Sequence, residues 1–468
     1  MKTQQFTLGS LFIAASMILA ACGGAAPTAA PTSAAAAAAT DTPAAAAAVT
    51  DTPAAGAAVT DTPAAAAAAT NTPAAAAAAT DTATPEPTST TRPGATKITI
   101  WHQWDGKYLD AIKAVFADYE KAHPDIQIDL SKPNDVQNAL NVAIPAGQGP
   151  DIIGWANDSI GSQALKGNIV DLNSLGVDTA FMTSVYEPAA VAGVTWQNKI
   201  WALPETEEAI ALVYNKDLVT AQYLPTDLND LLAKATAFQK DTGKPLVCNQ
   251  GFGASDAYHV APIYFGSGVP GFVDETGQAY MTTTEAVKAA QWLADMSKVS
   301  LKENSYDICN AALKEGKVGM WWTGPWAIAA IEANKTNYGI LPMGKPFVGI
   351  KTMMISKNAV DRGTSKTALD IIKYYTSADV QKKLALVNKT IPAETAALKD
   401  PDVAKLTSVI GFGTAAAAGV PMSPSPFSSA QWDPVGKAST AVWTGAQAPA
   451  AAMADAQKAI DDAVANMK

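Results

Sequence analysis

The residues of this sequence with chemistry to offer are a few carboxylates and a set of tryptophans. Glu205, Glu207 and Glu208 stand almost side by side, with Asp105 and Asp158 elsewhere. Two carboxylates about 5–10 Å apart across a glycosidic bond can hydrolyse it. The same groups can also be solvated or hydrogen-bonding carboxylates, and sequence does not place them in space. Trp101 and Trp104 close a strand-like stretch, and Trp155 lies near Asp158. Trp321, Trp322 and Trp326 fall within GMWWTGPWA, and Trp432 sits in a Pro/Ser-rich segment. A flat apolar ring beside a carboxylate suits a sugar, whose C–H face stacks while its hydroxyls hydrogen bond. For any single tryptophan, core packing is the alternative.

Other chemistries find no support. The histidines are His102, His123 and His259, and with three cysteines they give no zinc-ligand spacing. No G-x-S-x-G elbow and no G-x-x-x-x-G-K-[ST] phosphate loop occurs, so neither a metal nor a cofactor is expected. The chain carries 33 basic and 43 acidic residues, for a net charge of −10. That balance argues against a nucleic-acid partner, which normally meets a basic patch.

The elements that must hold these side chains have an α/β rhythm. Lys97 to Trp101 (KITIW) alternates like a strand, and a helix-period pattern follows to near Pro124. Ile126 to Leu130 and Asp151 to Ala156 read as further strands. Strands alternating with helices imply a parallel sheet, and ligands bind outside the carboxyl ends of such strands. Trp101, Trp104 and Trp155 stand at those ends. Ala209 to Tyr214 and Phe347 to Ile355 are later strands. Ala438 to Met467 reads as helix interrupted near Pro449.

Ahead of all this lies a segment of another kind. Residues 1–21 carry Lys2 and the apolar run Leu8–Ala21, too short to span a bilayer comfortably. The run ends in Leu-Ala-Ala-Cys-Gly, which resembles a bacterial lipobox with Cys22 as the lipidated thiol. An ordinary secretory signal is the alternative. Residues 22–96 form a low-complexity tether, in which a decamer close to TDTPAAAAAx recurs from Thr40. Each unit lacks a large apolar residue, so stacked copies could bury no core. Cys248 and Cys309 remain. An exported chain meets oxidising conditions, so they form a disulfide or stay two buried thiols.

The stretches TKITIWHQWDGKYLDAIKAVFADYEKAHPDI, GQGPDIIGWANDSIG and ALPETEEAIALVYNKDL resemble the extracellular solute-binding proteins (family 1) of ABC importers. GMWWTGPWAI, GILPMGKPFVGI and SSAQWDPV resemble the maltose/maltodextrin-binding members in particular. The resemblance covers residues 97–468, with the motifs in order. It implies a periplasmic-binding-protein-like α/β fold of two lobes with a hinge and an interlobe cleft. Lobe 1 would comprise 97–208 and 350–392, and lobe 2 would comprise 209–349 and 393–468.

By motif, the resemblance places Trp101 and Asp105 at a first-strand ligand site, with Lys107 one place off the family's lysine. Trp155 and Asp158 match a stacking and hydrogen-bonding pair. Glu208 matches an acidic residue before the AIALVYN strand, and Asp256 and Tyr258 match an acidic–x–aromatic element. Trp326 and Trp432 match stacking residues. Ser159 and Gly436 depart from places where arginine is common or expected. Trp104 and the Trp321-Trp322 pair are extra, and hint at a longer or cyclic maltodextrin, with Trp104 counted in the site.

The implied protein is a non-catalytic, monomeric, lipid-anchored extracytoplasmic binder. It would capture maltooligosaccharides and deliver them to ABC permease subunits in the membrane. A surface glycosidase using Glu208, a chemoreceptor or adhesin module, and a binder of non-glucan sugars are the alternatives.

Overall fold

The computed structural model describes residues 91–467. The signal segment, Cys22 and nearly all of the tether lie outside the described residues. Among the described residues no helix is long and apolar enough to cross a membrane.

Along the chain the strands are β1 (Thr96–His102), β2 (Ile126–Ser131), β3 (Ile152–Ala156), β4 (Thr195–Trp196), β5 (Lys199–Ile200), β6 (Ala202–Glu208) and β7 (Ala211–Asn215). They continue as β8 (Val247–Asn249), β9 (Met320–Thr323), β10 (Tyr338–Leu341), β11 (Phe347–Ile355), β12 (Ile391–Pro392) and β13 (Val420–Pro421). One sheet has the order β12-β6-β11-β3-β1-β2, with β13 beside β11. A second has the order β10-β7-β9-β8.

The first sheet grows from alternation. Ile98, Ile100 and His102 bury one side of β1. The helix Gly106–Ala122 buries Tyr108, Ile112, Val115, Phe116 and Tyr119, a helix-spaced apolar stripe, over the same core. β2 and β3 flank β1 in parallel register, joined through helical crossovers. Gly154 of β3 is needed for a close approach: a Cβ there would stand 3.1 Å from the Trp104 ring.

Asp151, at the mouth of β3, ties this lobe together. It is 2% exposed. One oxygen accepts from Arg362 Nη2 at 2.9 Å and Thr364 Oγ1 at 2.6 Å, and the other from the Thr99 N–H at 2.9 Å. The acid in GPDII is therefore a structural knot between β1, β3 and the segment after β11.

The two sheets meet where β6, β11 and β12 lie side by side. Glu208 stands opposite Gly349, and Glu207 opposite both Ile350 and Ile391. Phe347 at the start of β11 packs in the second lobe's core, whereas Ile350 and Met353 pack in the first. This is a periplasmic-binding-protein-like arrangement of two α/β lobes joined through neighbouring strands.

Several sequence expectations shift. The strand expected from Ala209 begins at Ala211, because residues 209 and 210 carry the chain from one sheet to the other. The interrupted C-terminal helix is two helices, Trp432–Trp443 and Pro449–Ala465. Pro449 begins the second, at a position whose N–H has no helical partner. Trp321 and Trp322 are both 0% exposed. They point to opposite faces of β9, which lies inside the second sheet, so each fills a core. That pair supplies no binding surface, and the hint of a longer glycan drawn from it falls. Cys248 of β8 and Cys309 of the helix Tyr306–Lys314 are joined in a disulfide with a Cα–Cα distance of 5.6 Å.

Candidate functional site

Two adjoining cavities lie between the lobes. The first, about 460 Å³, is walled by Trp155 and Asp158 on one side and by Tyr258, Trp326 and Trp432 on the other. Its floor is Glu208 and Gly349–Lys351, from the joining strands. The second, about 580 Å³, is bordered by Trp104, Asp105, Lys107 and Tyr306. Gln103, Gln250, Trp326 and Lys351 line both, so they form the shared wall.

Local structure explains how each side chain reaches its place. Trp155 ends β3, and its carbonyl accepts from Thr352 Oγ1 at 2.9 Å, which locks the strand end to β11. Asp158 follows in the short turn Asn157–Ser159. Asn157 fastens that turn: its amide nitrogen donates to Gly193 O at 3.1 Å and Met422 O at 2.7 Å. Its oxygen accepts from the Ile350 N–H at 3.0 Å. Ser159 donates to Ala156 O at 3.0 Å and so serves the turn.

Burial pushes the Asp158 carboxyl up to about 6, with the Trp432 indole and backbone N–H groups pulling against it. The Trp432 indole lies near enough to act on the carboxyl, yet neither Asp158 Oδ1 nor Trp432 Nε1, both buried, closes a well-formed hydrogen bond among the described residues. Gln103 Nε2, Gln137 Nε2, Gln250 Oε1 and His259 Nε2 are in the same condition around the first cavity. Buried polar atoms rarely go unpaired. Their convergence on one space is what a polar ligand would satisfy.

The three glutamates of β6 part company. Glu208 is buried and pairs with Lys351, Nζ to Oε1 at 3.0 Å. Glu205 lies away from the cavity and accepts from Tyr108 at 3.0 Å and Tyr375 at 2.8 Å. Burial raises its carboxyl, with Lys351 acting against the rise. Glu207 lines a smaller rear cavity with Glu275, and burial and then Glu187 raise it. β6 carries an irregularity against β11 where Lys351 faces Thr206 and Thr352 faces Pro204, leaving Glu205 unpaired in register.

The structure brings Trp155, Asp158, Glu208, Tyr258, Trp326 and Trp432 together around the first cavity. Tyr258 is nearly parallel to Phe347, with centroids 6.2 Å apart, and Trp326 lies 6.2 Å from Tyr258. Trp104, Asp105 and Lys107 border the second cavity. Trp104 is nonetheless 2% exposed, stacked on His102 and against Tyr375. Asp105 is exposed and paired with Lys132. Trp101 borders neither cavity, because alternation along β1 turns it to the face away from Ile100 and His102. Asp256 is not in the wall; His259, which it holds, is. Gly436 has no room for a side chain, since a Cβ would lie 2.7 Å from the Ser255 backbone.

Gln103, Gln137, Gln250, His259 and Lys351 were not singled out as binding residues from sequence. Glutamines give no spacing signal. Lys351 did give one, as the lone charge in the apolar strand FVGIKTMMI. Among the described residues no group of three metal-capable side chains occurs.

Residues 114–409 match the family described as bacterial extracellular solute-binding protein. The chain is similar to the maltotriose-binding protein of Pyrococcus abyssi, 26% identical over 355 residues, covering 72% of this chain and 76% of that one. It is also similar to the galactooligosaccharide-binding protein of Bacillus subtilis, 24% identical over 392 residues, covering 80% and 89%. Its fold superposes on the maltose/maltodextrin-binding domain of Bdellovibrio bacteriovorus bound to maltotriose, with a TM-score of 0.72 and 21% identity, over 79% of this chain and 100% of that one.

Proposed function

This chain belongs to the bacterial extracellular solute-binding proteins, and from that premise we propose that it captures maltooligosaccharides in the interlobe cleft. The observation that carries the reading is the first cavity. Trp155, Tyr258, Trp326 and Trp432 offer ring faces from both lobes, around buried polar atoms that close no hydrogen bond among the described residues. Rings take the C–H faces of sugar units, and the unpaired amides, indole and carboxylate take the hydroxyls. The maltotriose-binding relative supports a glucan. The galactooligosaccharide-binding relative keeps the rival sugar in view.

The ligand is neutral. Glu208 offsets the Lys351 charge, and Asp158 brings a carboxylate with no cation on it, so an anion such as a glycerol phosphate is disfavoured. The protein is a binder rather than a glycosidase. Asp158 and Glu208 both face the cavity, but Glu208 is held by Lys351, and the relatives are named as binding proteins, which supports the binding reading. Closing of the two lobes over the sugar would present a joint surface to an ABC permease. Lipidation at Cys22 would hold the monomer on the outer side of a membrane, with residues 22–96 as tether. Lobe 1 as 97–208 with 350–392, and lobe 2 as 209–349 with 393–468, remain the proposed division.

Incubation with maltoheptaose tests the reading. The glucan should co-elute with the protein on gel filtration and be recovered whole. Shortened products whose formation is lost in Glu208→Gln would make it an enzyme. No co-elution would refute glucan capture.

A further inference from the structure

Lys351 is an anomaly in its own strand. The rest of β11 is apolar or small, and the lysine side chain is 13% exposed. Its Nζ lies 3.0 Å from Glu208 Oε1, 4.7 Å from the Tyr108 ring centroid and 5.8 Å from that of Trp326. The Glu208 contact is an ion pair off the hydrogen-bond direction, since Oε1 closes no hydrogen bond. An ammonium carries three donors. Lys351 therefore holds its charge against Glu208 in contact, Glu205 beyond ion-pair distance and two ring faces, while its donors remain available. It lines both cavities at their shared wall. The lysine that motif matching offers, Lys107, is exposed and borders only the second cavity.

Resting on the sugar-binding reading above, we infer that Lys351 contacts the ligand and joins the two compartments. Its ammonium donates to a hydroxyl or bridging oxygen of a neutral oligosaccharide that passes beside Trp326 from one compartment into the other. The ligand is then a chain of several units. Tyr108 from one lobe and Trp326 from the other fix the ammonium by cation–π attraction, so it is preorganised where the two cavities meet.

Calorimetric titration with glucose, maltose, maltotriose and maltotetraose tests this. K351M should lower maltotriose and maltotetraose affinity at least tenfold, about 1.4 kcal/mol. The loss should be smaller for sugars confined to one compartment. K351R, which keeps charge and donors, should recover part of the loss. K351M leaves Glu208 buried without its cation and can fail to fold, so the comparison is repeated in a background without that charge. E208Q/K351M should bind maltotriose more weakly than E208Q. Equal affinities in that pair, or a K351M that binds the longer glucans like wild type, would overturn the inference alone. A wild-type protein that binds no glucan would overturn the proposed function and this inference with it.

Discussion

Asp256 Oδ2 lies 2.7 Å from His259 Nδ1. The same carboxylate caps the helix Ala257–Gly266, accepting from the His259 N–H at 3.1 Å. It is thus committed to its own helix, and what reaches the cavity is the His259 ring with Nε2 unpaired. On the proposed function, the motif-matched acid acts through the histidine three residues on.

Asp256→Ala should therefore destabilise the protein by about 1 kcal/mol, the scale of a lost N-cap. It should also weaken sugar binding by loosening His259. Burial pushes the Asp256 carboxyl up, but the His259 ring and backbone N–H groups outweigh it, so it titrates below its ordinary range. A depressed carboxyl stabilises above its unfolded value of about 3.9 and loses that stabilisation as pH falls toward its folded value. Thermal melts should show the Asp256→Ala penalty at pH 7 and a smaller one at pH 3.

Asp158 has the opposite sign. Its carboxyl is raised to about 6, so its stabilising contribution is full below about pH 4 and is lost as pH rises through 6. Asp158→Asn should raise the melting temperature of the sugar-free protein at pH 7.5 and matter less at pH 4. Hydroxyls donating to the ionised carboxylate favour that form. Maltotriose affinity should then fall several-fold between pH 7.5 and 5, and Asp158→Asn should flatten that slope. A wild-type affinity independent of pH would contradict the contact.

Neighbouring tryptophans should behave differently. Trp326 is half-buried in the shared wall, whereas Trp322 is 0% exposed in the core. Trp326→Ala should weaken sugar binding by about 1–3 kcal/mol, the scale of losing a buried aromatic contact. Trp322→Ala should cost about 3–5 kcal/mol of stability, with affinity per folded molecule unchanged. Calorimetry and denaturant titration of both variants separate the two.

The Cys248–Cys309 disulfide closes a loop between residues 61 apart. Replacing both with serine should lower stability by about 2–4 kcal/mol. Neither residue borders the two interlobe cavities, so sugar affinity should hold. Equal denaturation midpoints with and without reductant would contradict a bond in the native protein.

Where side-chain alternation and helix spacing ran unbroken, the sequence was readable. β1 and β11 were legible because Ile98 and Ile100 alternate with polar neighbours, and because FVGIKTMMI is a buried run. β6 was not. Its Pro204 and three glutamates look like a loop, and only Tyr108, Tyr375 and Lys351, distant in sequence, make the burial of Glu205 and Glu208 tolerable. The site was half readable for the same reason. Tryptophans beside carboxylates stand out in one dimension, and Trp155, Asp158, Trp326 and Trp432 reach the first cavity. Trp101 and the Trp321-Trp322 pair stood out as tryptophans too, and went into sheet packing. Gln103, Gln137 and Gln250 carried none.

On the proposed function, the first cavity takes a glucan chain. The most direct measurement is a calorimetric titration of the intact chain with maltotriose beside a galactooligosaccharide of equal length and a glycerol phosphate. Micromolar or tighter binding of maltotriose, with weaker binding of the other two, is the predicted result. Binding of either of the others with no heat from maltotriose would contradict it.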